Sequence, residues 1–290
     1  MARLCVPPLS LVRGFSLVSD NRAQRTLQAL AEAGSQDERL SAYYAFHRTL
    51  LQTLNQVKAE IPATLELADE EALRACIAQG LPLISFGQLP VEEKSFAKLV
   101  SAVAQLLLDY DPDLTEQGLP ESSAEWYALA QRRFEENQVT QESYDGQRQL
   151  SLKQMAVDLA LKPYLEWAAE QVLHHVEQER WKRGYCPVCG GAPDFAALEP
   201  ETGARHLLCS RCSSEWLYPR VQCPFCGTAD HTQLFYYPSE DGIYRLYVCQ
   251  GCRRYLKTID LREVQGDVLL PVERITTVPM DAAARSKGYT

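Results

Sequence analysis

Eight of the ten cysteines in this 290-residue chain fall into four Cys-x-x-Cys pairs, all of them beyond residue 185. The pairs are Cys186/Cys189, Cys209/Cys212, Cys223/Cys226 and Cys249/Cys252, separated by 19, 10 and 22 residues. Long, short, long spacing groups them into two consecutive modules, and an offset of 37 residues between the first pairs and 40 between the second pairs reads as a duplication. The halves also match locally: Tyr185-Cys186-Pro187-Val188-Cys189-Gly190 parallels Gln222-Cys223-Pro224-Phe225-Cys226-Gly227. Such a Cys-Pro-x-Cys-Gly stretch turns both sulfurs toward one point, and its glycine accepts a backbone conformation that a side chain resists. Two corners of this kind, held at the ends of β-hairpins, place four thiolates around one tetrahedral ion. The expected ligand sets are Cys186, Cys189, Cys209 and Cys212 for one site, and Cys223, Cys226, Cys249 and Cys252 for the other.

Disulfides are the competing use of so many cysteines. Residues 1–20 contain Pro7, Pro8, Arg13 and Gly14 between short apolar runs, so no signal peptide is expected and the cytoplasm is the expected compartment. Thiols there are kept reduced. A thioredoxin-like redox pair would account for one Cys-x-x-Cys, not for four in two matched sets. All-thiolate tetrahedral sites suit zinc or iron; spacing does not separate the two, and zinc is the commoner occupant.

The first 180 residues carry helical periodicity. Leu40, Tyr43, Tyr44, Leu50, Leu51, Leu54 and Val57 form one stripe over 38–58, with Ser35 and Glu38 as a capping box. A second stripe runs from Phe96 to Tyr110 and stops at Asp111-Pro112. Ser122 and Glu125 open a third helix through Trp126 and Phe134, and a last helical stretch covers 150–183 with Pro163 as a kink or a second start. Shorter helices are expected at 22–33 and 69–79. At Gly184 the pattern changes to short β-prone runs, 206–208, 233–237 and 244–248, separated by turns. The expected class is therefore α+β: a mainly helical domain over 1–183, then two tandem rubredoxin-like or zinc-ribbon-like modules over 184–215 and 216–290, the second with a C-terminal tail. No flexible linker joins them, so they are expected to pack together.

Charge narrows the partners. The net charge is −9, with 14 basic against 12 acidic residues over 180–290 and 15 against 26 before that. A polyanion would be repelled by the helical part and only weakly attracted elsewhere, which weighs against nucleic acid. No apolar run approaches the roughly 18 residues of a membrane span. Catalytic residues are not expected: four cysteines close each metal's shell, and the helical part has no Ser-His-Asp order, phosphate-binding glycine loop or His-x-x-x-His pair. His47 reads as a packed, hydrogen-bonded histidine and Cys76 as a core residue. His174 and His175 are adjacent, an arrangement that points their rings apart on a helix, and Cys5 has no partner in sequence.

The cysteine region resembles the formate dehydrogenase accessory protein family, FdhE. The resemblance rests on Cys186-Pro187-Val188-Cys189-Gly190-Gly191, on Arg205 to Cys212 followed by Glu215-Trp216, on Arg220 and Cys223 to Gly227, and on Cys249 to Cys252 with Tyr255-Leu256-Lys257. It implies a cytoplasmic factor that acts on the catalytic subunit of formate dehydrogenase and is not itself an enzyme. It also implies rubredoxin-like sites that favour iron over zinc, with all eight cysteines as ligands. Trp216, Tyr218 and Phe225 are then expected to face the partner. A rubredoxin-like electron carrier is the alternative, and a zinc-ribbon nucleic-acid binder using Arg205, Arg211, Arg220, Arg253, Arg254 and Lys257 is a third reading.

Overall fold

A computed structural model of the chain describes residues 22–61, 64–115, 118–138 and 150–290. Six α-helices come first: α1 (Arg22–Gln36), α2 (Ser41–Glu60), α3 (Glu70–Gln79), α4 (Glu93–Tyr110), α5 (Ser123–Glu136) and α6 (Leu152–Val172). The apolar stripe of α4 is buried at Phe96, Leu99, Val100, Val103 and Leu107, as a 3.6-residue period requires. Ser122 caps α5 by accepting the Glu125 amide at 3.2 Å, while the Glu125 carboxylate accepts the Glu121 amide. The cap expected at Ser35 does not form. Ser35 lies in the last turn of α1 and donates to the Glu32 carbonyl, and Asp37 caps a short 3₁₀ turn ahead of α2 through the Arg39 amide. Pro163 sits inside α6, whose helix continues past it. α6 is apolar on nearly every side and forms the centre of the helical layer. It ends at Val172, short of residue 183, and a 3₁₀ turn over Leu173–His175 follows.

Beyond Gly184 the two modules build one sheet of six strands. These are β1 (Pro193–Leu198), β2 (Arg205–Cys209), β3 (Glu215–Leu217), β4 (Leu234–Pro238), β5 (Tyr244–Cys249) and β6 (Tyr255–Asp260), in the order β3-β2-β1-β6-β5-β4. Each module supplies three consecutive antiparallel strands, and the parallel pair β1/β6 joins them. β2, β4 and β5 coincide with the β-prone runs in the sequence. Alternation of side chains then sets two faces. Ala196, Leu207, Trp216 and Leu256 join the core of α4, α5 and α6. Phe195, Ala197, Leu208, Tyr244, Leu246 and Ile259 face the other way, against the C-terminal helices α7 (Leu270–Thr276) and α8 (Val278–Ser286). The result is three layers: helices, sheet, helices.

The first module is tied to the helices by backbone as well as by side chains. Leu83 and Ile84 donate to the carbonyls of Pro187 and Val188 at 2.9 and 3.1 Å, and Tyr185 Oη donates to Gly80 O at 2.9 Å. Trp181 and Trp216 are buried at this junction with their indole N–H groups donating to Tyr185 O and Arg183 O. Gly184 lets the connecting segment run against the second module: a Cβ there would lie 1.8 Å from the Pro224 carbonyl oxygen.

On the far side, Glu273 of α7 is 4 % exposed and accepts a hydrogen bond from Tyr244 Oη at 2.5 Å. Burial raises its carboxyl to about 7 against the opposing effect of that hydrogen bond. A carboxyl that binds its proton more tightly in the folded state stabilises the fold below the ordinary carboxylate range and loses that contribution as pH rises through about 7. Denaturant titrations between pH 5 and pH 8 are therefore expected to show a loss of roughly 3 kcal/mol at the upper end. Glu273→Gln should flatten that slope; an unchanged slope in the variant would assign it to other groups.

Candidate metal centres

The four Cys-x-x-Cys pairs adopt one repeated knuckle. In each, the amide of the residue after the second cysteine donates to the carbonyl of the first: Gly190 to Cys186, Ser213 to Cys209, Gly227 to Cys223 and Arg253 to Cys249, at 2.9–3.3 Å. In each, the first cysteine's amide donates to the residue five positions on, Gly191, Ser214, Thr228 or Arg254, at 2.8–2.9 Å. The loop closes only if the residue after the second cysteine has positive φ, and all four do: Gly190 and Gly227 at 73°, Ser213 at 56° and Arg253 at 59°. Glycine fills this position in the leading knuckle of each module at no steric cost. Ser213 and Arg253 carry the strain elsewhere and are held by contacts. Ser213 Oγ donates to Glu166 at 2.8 Å, and Arg253 donates to the carbonyls of Lys287 and Gly288.

Hairpins β1/β2 and β4/β5 bring the knuckles of each pair together. Cys186, Cys189, Cys209 and Cys212 form one cluster and Cys223, Cys226, Cys249 and Cys252 the other, with the sulfurs in each within 4.8 Å of one another. Sulfur–sulfur separations are 3.5 Å for Cys186–Cys212, Cys189–Cys209 and Cys189–Cys212, and 3.7 Å for Cys223–Cys252 and Cys226–Cys249. A disulfide would require about 2.05 Å. A tetrahedron of sulfurs about 2.3 Å from a central ion has edges of about 3.8 Å. The spacing therefore fits a four-thiolate ion and excludes bridging, and each cluster could hold one metal ion. Amides point at the sulfurs too: Val188 N donates to Cys186 Sγ and Arg211 N to Cys209 Sγ, both at 3.4 Å.

The two clusters sit in different surroundings. All four cysteines of the first are buried inside the main core. Arg211 lies beside it, donating to the carbonyls of Cys189 and Phe134 at 3.1 and 3.3 Å. Burial, with hydrogen bonds among the four sulfurs, pushes Cys186 and Cys212 well above the ordinary thiol range. Cys189 is held low despite its burial, by hydrogen bonds from the other three sulfurs and by the Arg211 charge. In the second cluster Cys226 is exposed and Cys252 half-buried. Burial raises Cys226 to about 11. A metal ion must displace protons from such thiols, so loading weakens as pH falls.

Other residues singled out in the sequence lie away from these clusters. His47 packs edge-on against Tyr43 and Phe46; it has ring contacts in place of the expected hydrogen bond among the described residues. Burial, helped by Lys257 and Lys162, lowers its imidazole to about 4. The rings of His174 and His175 do not point apart: they meet at 4.0 Å, because the chain tightens from α-helix to 3₁₀ there. Cys76 is half-buried against the main core, and Cys5 lies outside the described residues. Trp216 and Tyr218 are 0 % and 3 % exposed, so they belong to the core and do not face a partner. The six basic residues suited to nucleic acid do not share one exposed surface. Arg205 and Lys257 are buried, Arg211 is spent on backbone carbonyls, and only Arg220 and Arg253 are exposed. Among the described residues no helix is long and apolar enough to cross a membrane.

Helices packed on a duplicated sheet that ends in two closed four-thiolate clusters define a protein of the paired metal-knuckle class. Residues 185–220 match the family model described as "FdhE, central domain". The chain is 38% identical over 133 residues to an FdhE homolog of Aquifex aeolicus, covering 44% of this chain and 46% of that relative, so that alignment spans under half of the relative's length. It is 28% identical over 261 residues to an FdhE homolog of Pseudomonas aeruginosa (81% of this chain, 77% of the relative), and 25% identical over 296 residues to protein FdhE of Shigella boydii (98% and 88%). The fold is that of the crystal structure of the FdhE protein from Pseudomonas aeruginosa, with a TM-score of 0.58 at 22% identity over 93% of this chain and 91% of that one. The chain is thus similar to FdhE proteins in sequence over most of its length and shares their fold.

The knuckle geometry generates a graded series. A Cβ on Gly227 meets nothing within 4 Å, so Gly227→Ala should cost only the left-handed backbone penalty, roughly 1–2 kcal/mol. Gly190→Ala should cost more, because its Cβ would also press on Pro82 at 3.0 Å and Gln138 at 3.1 Å. Urea midpoints of the two variants check the order; equal losses would contradict it.

Proposed function

We propose that this protein is a formate dehydrogenase accessory factor of the cytoplasm. It binds the enzyme's catalytic subunit and promotes its maturation, and it is not itself an enzyme. Similarity to FdhE proteins is the observation that carries this reading. The centres support it: Cys186, Cys189, Cys209 and Cys212 hold one ion, and Cys223, Cys226, Cys249 and Cys252 hold the second. Four thiolates leave no coordination position for water or substrate, which suits ions that shape a surface. The donor set accepts iron or zinc, and the family resemblance favours iron.

A second reading, electron delivery to the client, draws on the exposure of Cys226. Iron at a four-thiolate site supplies one-electron exchange. The chain's part would be to keep the first centre inside its core and leave the second reachable from solvent. On this reading a colourless, zinc-filled native protein is the result that removes it while leaving the accessory role standing.

The accessory role predicts that a strain without this protein makes the catalytic subunit but shows little formate dehydrogenase activity, and that the subunit co-purifies with the tagged full chain. Full activity in that strain, with no association, would overturn it. Replacement at the two centres should separate their tasks. Cys189→Ser, in the buried core, should lower the amount of folded protein. Cys226→Ser should lose one metal equivalent and keep the helical layer, as read by metal analysis with circular dichroism.

A further inference from the structure

One groove on the second module combines apolar exposure, positive charge and an open strand edge. Five large hydrophobic residues are exposed among the described residues, and three of them, Val221 (66%), Phe235 (46%) and Tyr236 (48%), line this one groove of about 360 Å³. Phe225 and the tilted pair Tyr236/Tyr247, with ring centroids 5.5 Å apart, complete its aromatic lining. Exposed apolar surface concentrated in this way marks an interaction site.

The charged side chains at the groove are arginines, beside the Cys223 and Cys249 sulfurs that also line it. Arg205, Arg220 and Arg254 line it and no carboxylate does, in a chain with 38 acidic residues. Arg205 is the informative member. It is 2 % exposed, it donates to the carbonyls of Pro219 and Gln222 and lies over the Tyr218 ring, and its Nε has no hydrogen-bond partner among the described residues. A buried cation without a carboxylate is costly and is retained where an anion completes it.

The backbone supplies the third element. β4 pairs only with β5 and is an edge of the sheet. At the opposite edge β3 is three residues long and its Leu217 amide is taken by Gln178, whereas β4 presents Leu-Phe-Tyr-Tyr-Pro. Long apolar edges are usually protected, and when open they accept an added strand.

The geometry points to this groove as the docking site for an extended peptide segment of the partner protein, one that lays its backbone along β4, seats apolar side chains in the aromatic lining and turns an acidic group toward Arg205 and Arg220. Residues 1–21 of this chain do not suit it, since they carry Arg3 and Arg13 against the single acid Asp20. Single-stranded nucleic acid also stacks on aromatics beside arginines. It suits the groove less, because the chain's net charge of −9 repels a polyanion. The identity of the partner rests on the accessory reading above; the chemistry of the groove does not.

Two experiments keep these apart. In fluorescence anisotropy with the full chain, a labelled peptide alternating Val or Phe with Glu should bind at least about tenfold tighter than its Lys counterpart and than labelled oligothymidine. Val221→Asp/Tyr236→Asp and, separately, Arg220→Glu should each weaken it by about tenfold or more, while Leu81→Asp, at an exposed apolar residue elsewhere, should not. Arg205 itself is left intact because it holds the Pro219–Gln222 loop. No binding, equal binding of acidic and basic peptides, tighter binding of the oligonucleotide, or binding undiminished in the groove variants would overturn the assignment. In co-purification with the formate dehydrogenase catalytic subunit, the groove variants should lose the subunit and Leu81→Asp should keep it. Capture by all variants alike would reject the groove and leave the accessory role. A groove that selects the acidic peptide in a protein that never captures the subunit would reject the accessory role and leave the groove.

Discussion

Each of the two centres demands that four thiol groups, drawn from loops 20 or more residues apart in sequence, arrive within one ion's reach. Small loop-rich modules bury too little apolar surface to hold such an arrangement alone, so convergence of the sulfurs and folding of the sheet are coupled. The knuckle is how the chain meets this demand four times over. Its two backbone hydrogen bonds and one left-handed residue recur at every pair, with glycine twice and with Ser213 and Arg253 held by neighbours in the other two. Strands β1 to β5 run between knuckles and β6 leaves the last one, so their register inherits the sulfur positions, and the parallel join of β1 to β6 fixes the second centre relative to the first.

Burial separates the roles of the centres. The first is continuous with the helical core: Leu83 and Ile84 pair with its leading knuckle, and Glu166 and Lys162 of α6 reach Ser213 of its second. Loss of that centre would open the main core. The second lies at the outer part of the sheet with Cys226 exposed, close to the only surface where aromatic exposure, arginine and a free strand edge coincide among the described residues. A stable centre that anchors the domain and an accessible one that faces outward is a division of labour suited to a protein that holds something else.

Most of this was legible in the residues themselves. The spacing of the cysteines anticipated which four sulfurs gather in each cluster, and the stripe on α4 named its buried face because helical period and burial coincide. Other features depended on tertiary context. The β1, β3 and β6 strands are too short or too mixed to show alternation, and pairing alone makes them strands. Ser35 looked like a cap until Asp37, two residues on, offered a carboxylate to the same turn. Trp216 and Tyr218 looked like partner-facing aromatics, but strand alternation turns Trp216 into the main core, and the Tyr218 hydroxyl donates to the Cys223 carbonyl. The groove was only partly legible: Arg205, Arg220, Arg254 and Phe225 stood out in sequence, but Val221 and Tyr236 join them only through the sheet.

The most direct test of this account is X-ray absorption spectroscopy at the metal edge of protein purified without added metal, together with the metal content per chain. The account predicts two ions per chain, each surrounded by four sulfurs at about 2.3 Å. Nitrogen or oxygen in the inner shell, a single ion, or a folded sheet whose eight thiols carry no metal would contradict it.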